Sequence, residues 1–203
     1  METNYSTTET FDETKSLAVI KEMIEVSQNK LKNDGILFIV WGWVMFYTYL
    51  TSFIQEHVIT TYQIRMVIKY TGMLFGLFAV GFTIYYILKQ RKKVQTYIGV
   101  SLRYVWISLF VCMVLVNLIQ FNVLHEINFE LQHPIFMVLI ALATVVTGGI
   151  LRYRLIIIGG IVFGLLAYAS SYFPLEKQLF LEATAWLIAF IIPGHLMYLK
   201  RNK

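Results

Sequence analysis

Residues 155–175 read LIIIGGIVFGLLAYASSYFPL, with no charged side chain among them. About 20 consecutive apolar residues cross the ~30 Å hydrocarbon core of a bilayer as a helix. A helix is the form such a segment takes in lipid, because it satisfies its own backbone N–H and C=O groups. Only Arg152-Tyr153-Arg154 separates this stretch from the apolar run 134–151 before it. A connection that short folds the two runs into an antiparallel hairpin. A third run, 179–199, follows almost at once. Moving toward the N-terminus, residues 36–53, 67–88 and 97–119 are of the same kind.

The composition agrees. Of 203 residues, 58% are hydrophobic and 14% are charged, where soluble domains carry roughly 25% charged residues. A soluble chain of this size would need charges spread over its whole surface. The expected fold is therefore an all-α membrane protein: a six-transmembrane-helix bundle at residues 35–200, preceded by a cytoplasmic tail (1–34) and closed by a short basic tail (201–203). No basic n-region with a short apolar core opens the chain, so a cleaved leader is not expected. The lone Cys112 excludes a disulfide within one chain and reads as a small packing residue.

Lys and Arg orient the bundle, since short cytoplasmic loops carry the excess. The N-terminal tail, the 89–93 loop, the 152–154 turn and the C-terminal tail hold four, four, two and three basic residues, 13 in all. The loops on the other side hold 2, Arg65 and Lys177. Both termini are thus expected in the cytoplasm. Every Asp or Glu after the tail falls on or near the outer side. In the tail, Thr10 and Glu13 fit a capping box. Leu17, Ile20, Ile24, Ser27 and Leu31 share one helical face. That amphipathic helix suits a membrane surface, a protein partner contacted through residues 10–32, or a plain soluble lead-in.

Ionisable residues inside a span are costly, which makes them functional candidates. Four qualify: Lys69, Arg103, Glu182 and His195. All lie near span ends, where long side chains snorkel to the headgroups. The sharper alternative is a Lys69–Glu182 pair closing the outer mouth of the bundle. The mid-membrane polar residues Thr48, Ser108, Thr144, Ser170 and Asn117 are mild and read mainly as bridges between helices. The stretch LHEINFELQHP (124–134) concentrates His125, Glu126, Glu130 and His133. Glu126, Glu130 and His133, joined by His57 from the adjacent outer loop, form a weak candidate metal set. The stronger reading is an acidic outer loop, with Pro134 opening the fourth span. No cofactor is expected: a haem needs axial ligands buried at matched depth, and the histidines sit at span ends. Nucleotide, zinc-peptidase and serine-hydrolase motifs are absent, so the chemistry points away from an enzyme. No nucleic-acid partner is expected.

Small residues recur four apart at Gly72 and Gly76, Gly160 and Gly164, and Ala185 and Ala189. Such faces let helices approach closely, within this bundle or across a homodimer. GMLFGLFA at 72–79 and GIVFGLLA at 160–167 match at five of eight positions. Helices 2 and 5 run in opposite directions, so this is the pattern of a three-plus-three inverted repeat, a transporter plan. Pro193-Gly194 marks either a kink or the end of helix 6.

The residues WGW at 41–43, TGGILRYRLIIIGG at 147–160 and AFIIPGHLMYLK at 189–200 resemble a family of uncharacterised six-span bacterial membrane proteins whose function is unassigned. The resemblance covers most of the chain and implies the six-span fold. It implies no site residues. The function expected from the residues is a non-enzymatic scaffold, sensor or regulatory partner in the bilayer. A small transporter or channel is the alternative, and a membrane enzyme is third.

Overall fold

A computed structural model describes residues 15–22, 35–57, 62–91 and 97–201. Among the described residues every regular element is helical. Residues 15–22 form a short N-terminal helix that exposes Leu17, Val19 and Ile20. Thr10, Glu13, Ile24, Ser27 and Leu31 lie outside the described residues. Six helices follow: α1 (Ile36–His57), α2 (Tyr62–Arg91), α3 (Tyr97–Leu124), α4 (Phe129–Leu151), α5 (Arg154–Ser170) and α6. α6 starts as α-helix at Leu175–Trp186, passes through a π-helical turn at Leu187–Ile191 and continues as α-helix over Ile192–Arg201.

Five of these, Ile36–Gln55, Tyr62–Lys89, Ile98–Leu124, Phe129–Leu151 and Leu175–Leu199, are long and apolar enough to cross a membrane. α5, the stretch on which the sequence argument turns, is the shorter one. It has 17 residues, about 25 Å of helix at 1.5 Å per residue. The expected 155–175 helix stops at Ser170 because Ser171 to Pro174 form a turn and Leu175 already starts α6. Pro174 has no N–H to offer a helix interior and instead sits extended as the N-cap of α6.

The 152–154 turn behaves as its length demands. Arg152 caps α4 in the left-handed region (φ 50°), and Tyr153 N–H closes on Gly148 O at 2.9 Å. α4 and α5 then pack along each other more extensively than any other pair. A Cβ on Gly148 would come within 2.8 Å of Ile157 N, and one on Gly160 within 2.9 Å of Val145 N. Glycine is what allows this backbone separation.

α6 lies against α5, α4 and α1; α2 packs on α1, and α3 packs on α4. The core is therefore built from α1, α4, α5 and α6, with α2 and α3 as outriders. Phe163, Trp186 and Phe190 fill its middle with Met137, Ile140 and Ala185, and Phe38 and Trp106 lean in from α1 and α3. Their rings are close, with Trp186 and Phe190 centroids 4.3 Å apart and Phe163 and Trp186 5.6 Å. A second cluster joins Ile98, Leu151, Tyr153, Ile156 and Met197. It gathers the start of α3, the α4–α5 turn and the end of α6 at one end of the bundle. Gly35, at the start of α1, sits at that end too, beside Met197 and Gly194. Lys89, Arg103, Arg152 and Arg154 belong to this basic end. Glu126, Glu130, Glu176 and Glu182 belong to the opposite, more acidic end, together with Arg65 and Lys177.

Pro193-Gly194 does not end α6, which continues to Arg201. Ile192 N–H bonds Leu187 O five residues back, so the widened turn is completed just before proline, which cannot donate. Gly194 lets α1 in: a Cβ there would meet Ile39 N at 3.0 Å. Pro134 does not open α4 either. Asn128 caps that helix, its Oδ1 accepting from Leu131 N at 3.1 Å, and Pro134 lies inside. The Glu130 carbonyl that proline cannot bond is taken instead by Gln178 Nε2 of α6, at 3.1 Å.

Candidate functional site

The acidic end of the core brings together three side chains from three helices. His133 stands on α4 one turn after Phe129, and its Nδ1 lies 2.6 Å from Glu182 Oε2. Glu182, on α6, is completely buried; the His133 side chain keeps 19% of its surface exposed. Tyr49 of α1 places its ring 5.9 Å from the imidazole, edge to face. Glu182 Oε1 makes no hydrogen bond of ordinary geometry among the described residues. Burying a carboxylate without a partner costs several kcal/mol, which explains why an imidazole stands against it.

Around this triad lies a polar collar. Gln178, one turn before Glu182, donates from Nε2 to Glu130 O and to Phe173 O (2.9 Å), while its Oε1 is buried and unpaired among the described residues. Glu130 Oε1 accepts from Leu175 N at 3.4 Å. Gln132 of α4 bonds Asn117 of α3, and Gln120 Oε1 accepts from Asn128 N at 3.2 Å. Each bond ties two segments, so the polar residues hold helices together where side-chain periodicity says least.

Glu182 is thus the intramembrane residue with a specific partner, and that partner is His133 rather than Lys69. Lys69 is exposed on α2, which packs on α1 and not on α6. The two residues stand on helices that do not pack along each other. Arg103 Nε turns back to Gly99 O of its own helix at 3.3 Å. His195 is exposed at the basic end, its Nδ1 2.9 Å from Ile191 O and its ring 6.3 Å from Trp43. His133 and Glu130 are helical, not part of a loop, whereas His125 and Glu126 lie in the exposed 125–128 connection. Among the described residues no three His, Cys, Asp or Glu side chains group around a metal position; the His57 side chain lies outside the described ones.

The mild polar residues at mid-depth bond their own helices: Thr48 to Val44 O, Thr144 to Ile140 O, Ser108 to Val105 O, Ser170 to Ala167 O and Asn117 to Met113 O. The small residues divide. Ala185 and Ala189 are fully buried, and Gly160 is tightly packed. Gly164 meets Ala141 Cβ at 3.5 Å. At Gly72 and Gly76 an added Cβ meets nothing within 4 Å. The close approaches outside those pairs are Gly35, Gly42, Gly148, Gly159 and Gly194; none of them has a Gly or Ala four residues away. At the acidic end a groove of about 250 Å³ is lined by Phe53, Phe173, Lys177, Phe180 and Leu181.

The inverted-repeat idea predicts like surroundings for like residues. Gly160 sits at the α4–α5 crossing, whereas its counterpart Gly72 faces open space. α5 packs on α6, but α2 does not pack along α3. Comparison with known proteins returned no matching family model, no matching curated relative and no matching solved structure.

Proposed function

We propose that this chain is a six-span protein of a bacterial cytoplasmic membrane, with both termini on the cytoplasmic side. In it the chain serves as a non-enzymatic sensor or regulatory partner. The aromatic plug supports this reading best. Phe163, Trp186, Phe190 and Met137 close the middle of the four-helix core, so a passage through it would have to displace some of the most buried side chains. What supports a sixth crossing is the register of the hairpin. α5 starts where α4 ends, and Ser170 lies level with Met137, its Oγ 3.7 Å from Met137 Sδ. α5 therefore traverses most of the depth of α4. The exposed Leu17–Ile20 face supports a partner at the cytoplasmic tail.

Photo-crosslinking from position 17 or 20 in cells tests the regulatory reading. The expected result is a discrete protein adduct from both positions, absent when the crosslinker is moved to the charged position 21. Only lipid adducts, or identical products from all three positions, would refute it. A small transporter or channel remains the second reading, favoured by one observation: a buried His–Glu pair is the kind of group that carries protons through a bundle. Dissipation of an imposed proton gradient in proteoliposomes, lost in Glu182→Gln, would favour that reading.

A further inference from the structure

Glu182 and His133 are more than a tether. We propose that Tyr49, His133 and Glu182 form a proton-binding site, and that a second proton taken up there loosens the grip of α4 and α1 on the outer half of α6. With one proton shared across the 2.6 Å contact, the pair is electrically neutral, whether it is written as imidazolium–carboxylate or imidazole–carboxylic acid. Adding a proton leaves an imidazolium beside a carboxylic acid, with a net charge of +1 in a low-dielectric interior. That state weakens the ion pair and leaves a charge that burial penalises. Access comes through His133, whose side chain is 19% exposed while Glu182 is fully enclosed.

Few other charged or titratable groups face the pair. From α1 it is faced by Tyr49. From α4 it is faced by His133 and, about one turn nearer the bundle end, by Glu130, which is exposed and bonded to Leu175 N. α5 brings Tyr168 to this end, exposed and bonded to Tyr172. α6 itself contributes Gln178, with Glu176 and Lys177 at its exposed start. None of the described groups supplies a second buried countercharge to Glu182. The contact is also well placed to be felt elsewhere. Trp186 follows Glu182 by one turn and stacks into the aromatic core, and the π-helical turn begins at the next residue, Leu187. Widened turns of this kind recur at functional sites.

The inference goes beyond the regulatory reading and does not depend on it, because it is tested on purified full-length protein in lipid nanodiscs with both faces open to buffer. Infrared difference spectra and melting temperature are followed from about pH 8 to about pH 4, the range that spans ordinary imidazole and carboxyl titration. The expected result is a carboxylic-acid band that appears on acidification, or shifts if the shared proton already sits on Glu182, in the wild type and in Glu130→Gln but is lost in Glu182→Gln. The melting temperature of the wild type falls along with that band. A merely structural tether would lower the melting temperature of Glu182→Gln equally at every pH and leave the slope unchanged; that outcome overturns the proposal. So does a wild-type spectrum from which Glu182→Gln subtracts nothing. If Glu182→Gln does not accumulate folded, His133→Gln decides: a band midpoint identical to that of the wild type overturns the proposal, and a displaced midpoint supports it.

Discussion

Gly159 makes the sharpest quantitative test of the packing. It sits on α5 where that helix meets α6, and a Cβ added there would lie 2.9 Å from Ala189 Cα and 3.3 Å from Ala189 Cβ. Unstrained carbon contacts are about 3.5–4.0 Å, so α5 and α6 would have to separate by roughly 0.5–1 Å. The nearer obstacle is backbone and cannot rotate away. Separation at this point also loosens Phe163, Trp186 and Phe190, which are among the core residues of the same two helices. Overpacking of a closed core costs about 1–3 kcal/mol, a factor of roughly 5 to 150 in the unfolding equilibrium. Gly72→Ala is the matched control. Its Cβ meets nothing, and alanine is favoured over glycine inside a helix by about 0.5–1 kcal/mol. Unfolding in mixed micelles of increasing denaturing-detergent content, followed by tryptophan fluorescence, gives both numbers. Gly159→Ala should lose stability and Gly72→Ala should hold or gain it. A neutral Gly159→Ala, or equal losses at the two sites, would refute the assignment of α5–α6 as a close crossing and α2 as an outrider.

Three other substitutions probe different parts of the structure. Glu182→Ala should cost about 3–5 kcal/mol, because it strands His133 beside an apolar void; a double-mutant cycle with His133→Ala should recover part of that loss, and strict additivity would deny the contact. Lys69→Glu should change stability by no more than about 0.5 kcal/mol, since Lys69 is exposed and apart from Glu182; a large loss by the same micelle assay would restore the Lys69–Glu182 pair. Phe190→Ala should cost about 3–5 kcal/mol and blue- or red-shift tryptophan emission, given a 4.3 Å ring separation from Trp186; an unchanged spectrum would place the aromatic plug elsewhere.

The sequence made the apolar helices and the charge asymmetry visible for a simple reason. Length, apolar content and the position of Lys and Arg are properties of single segments, and the Arg152-Tyr153-Arg154 turn fixes its neighbours by shortness alone. Lateral order is different. In lipid a helix is apolar on every side, so periodicity does not tell the buried face from the lipid face. Glu182 stands out in the sequence by its cost in a span, and the structure buries it against His133. Its partner could not be chosen between Lys69 and His133 at similar depth without knowing that α2 packs outside α1. The Gly72-xxx-Gly76 face looked like the Gly160-xxx-Gly164 face for the same reason, yet only the latter meets another helix. Pro134 reads as a helix start because proline favours first turns; the helix instead begins after Asn128, whose own side chain caps it, and the Glu130 carbonyl that Pro134 cannot bond is taken by Gln178, 48 positions further along the sequence.

The central claim is that α5, at about 25 Å, still carries the chain across the bilayer and makes the sixth crossing. Single cysteines at positions 152 and 172, in a Cys112→Ser background, test it directly when probed with a membrane-impermeant maleimide on intact spheroplasts and on inverted vesicles. Both positions are exposed. A crossing α5 predicts that position 172 reacts only in spheroplasts and position 152 only in inverted vesicles. Reaction of both from the same side would make α5 a re-entrant helix, leave five crossings and put the two termini on opposite sides of the membrane.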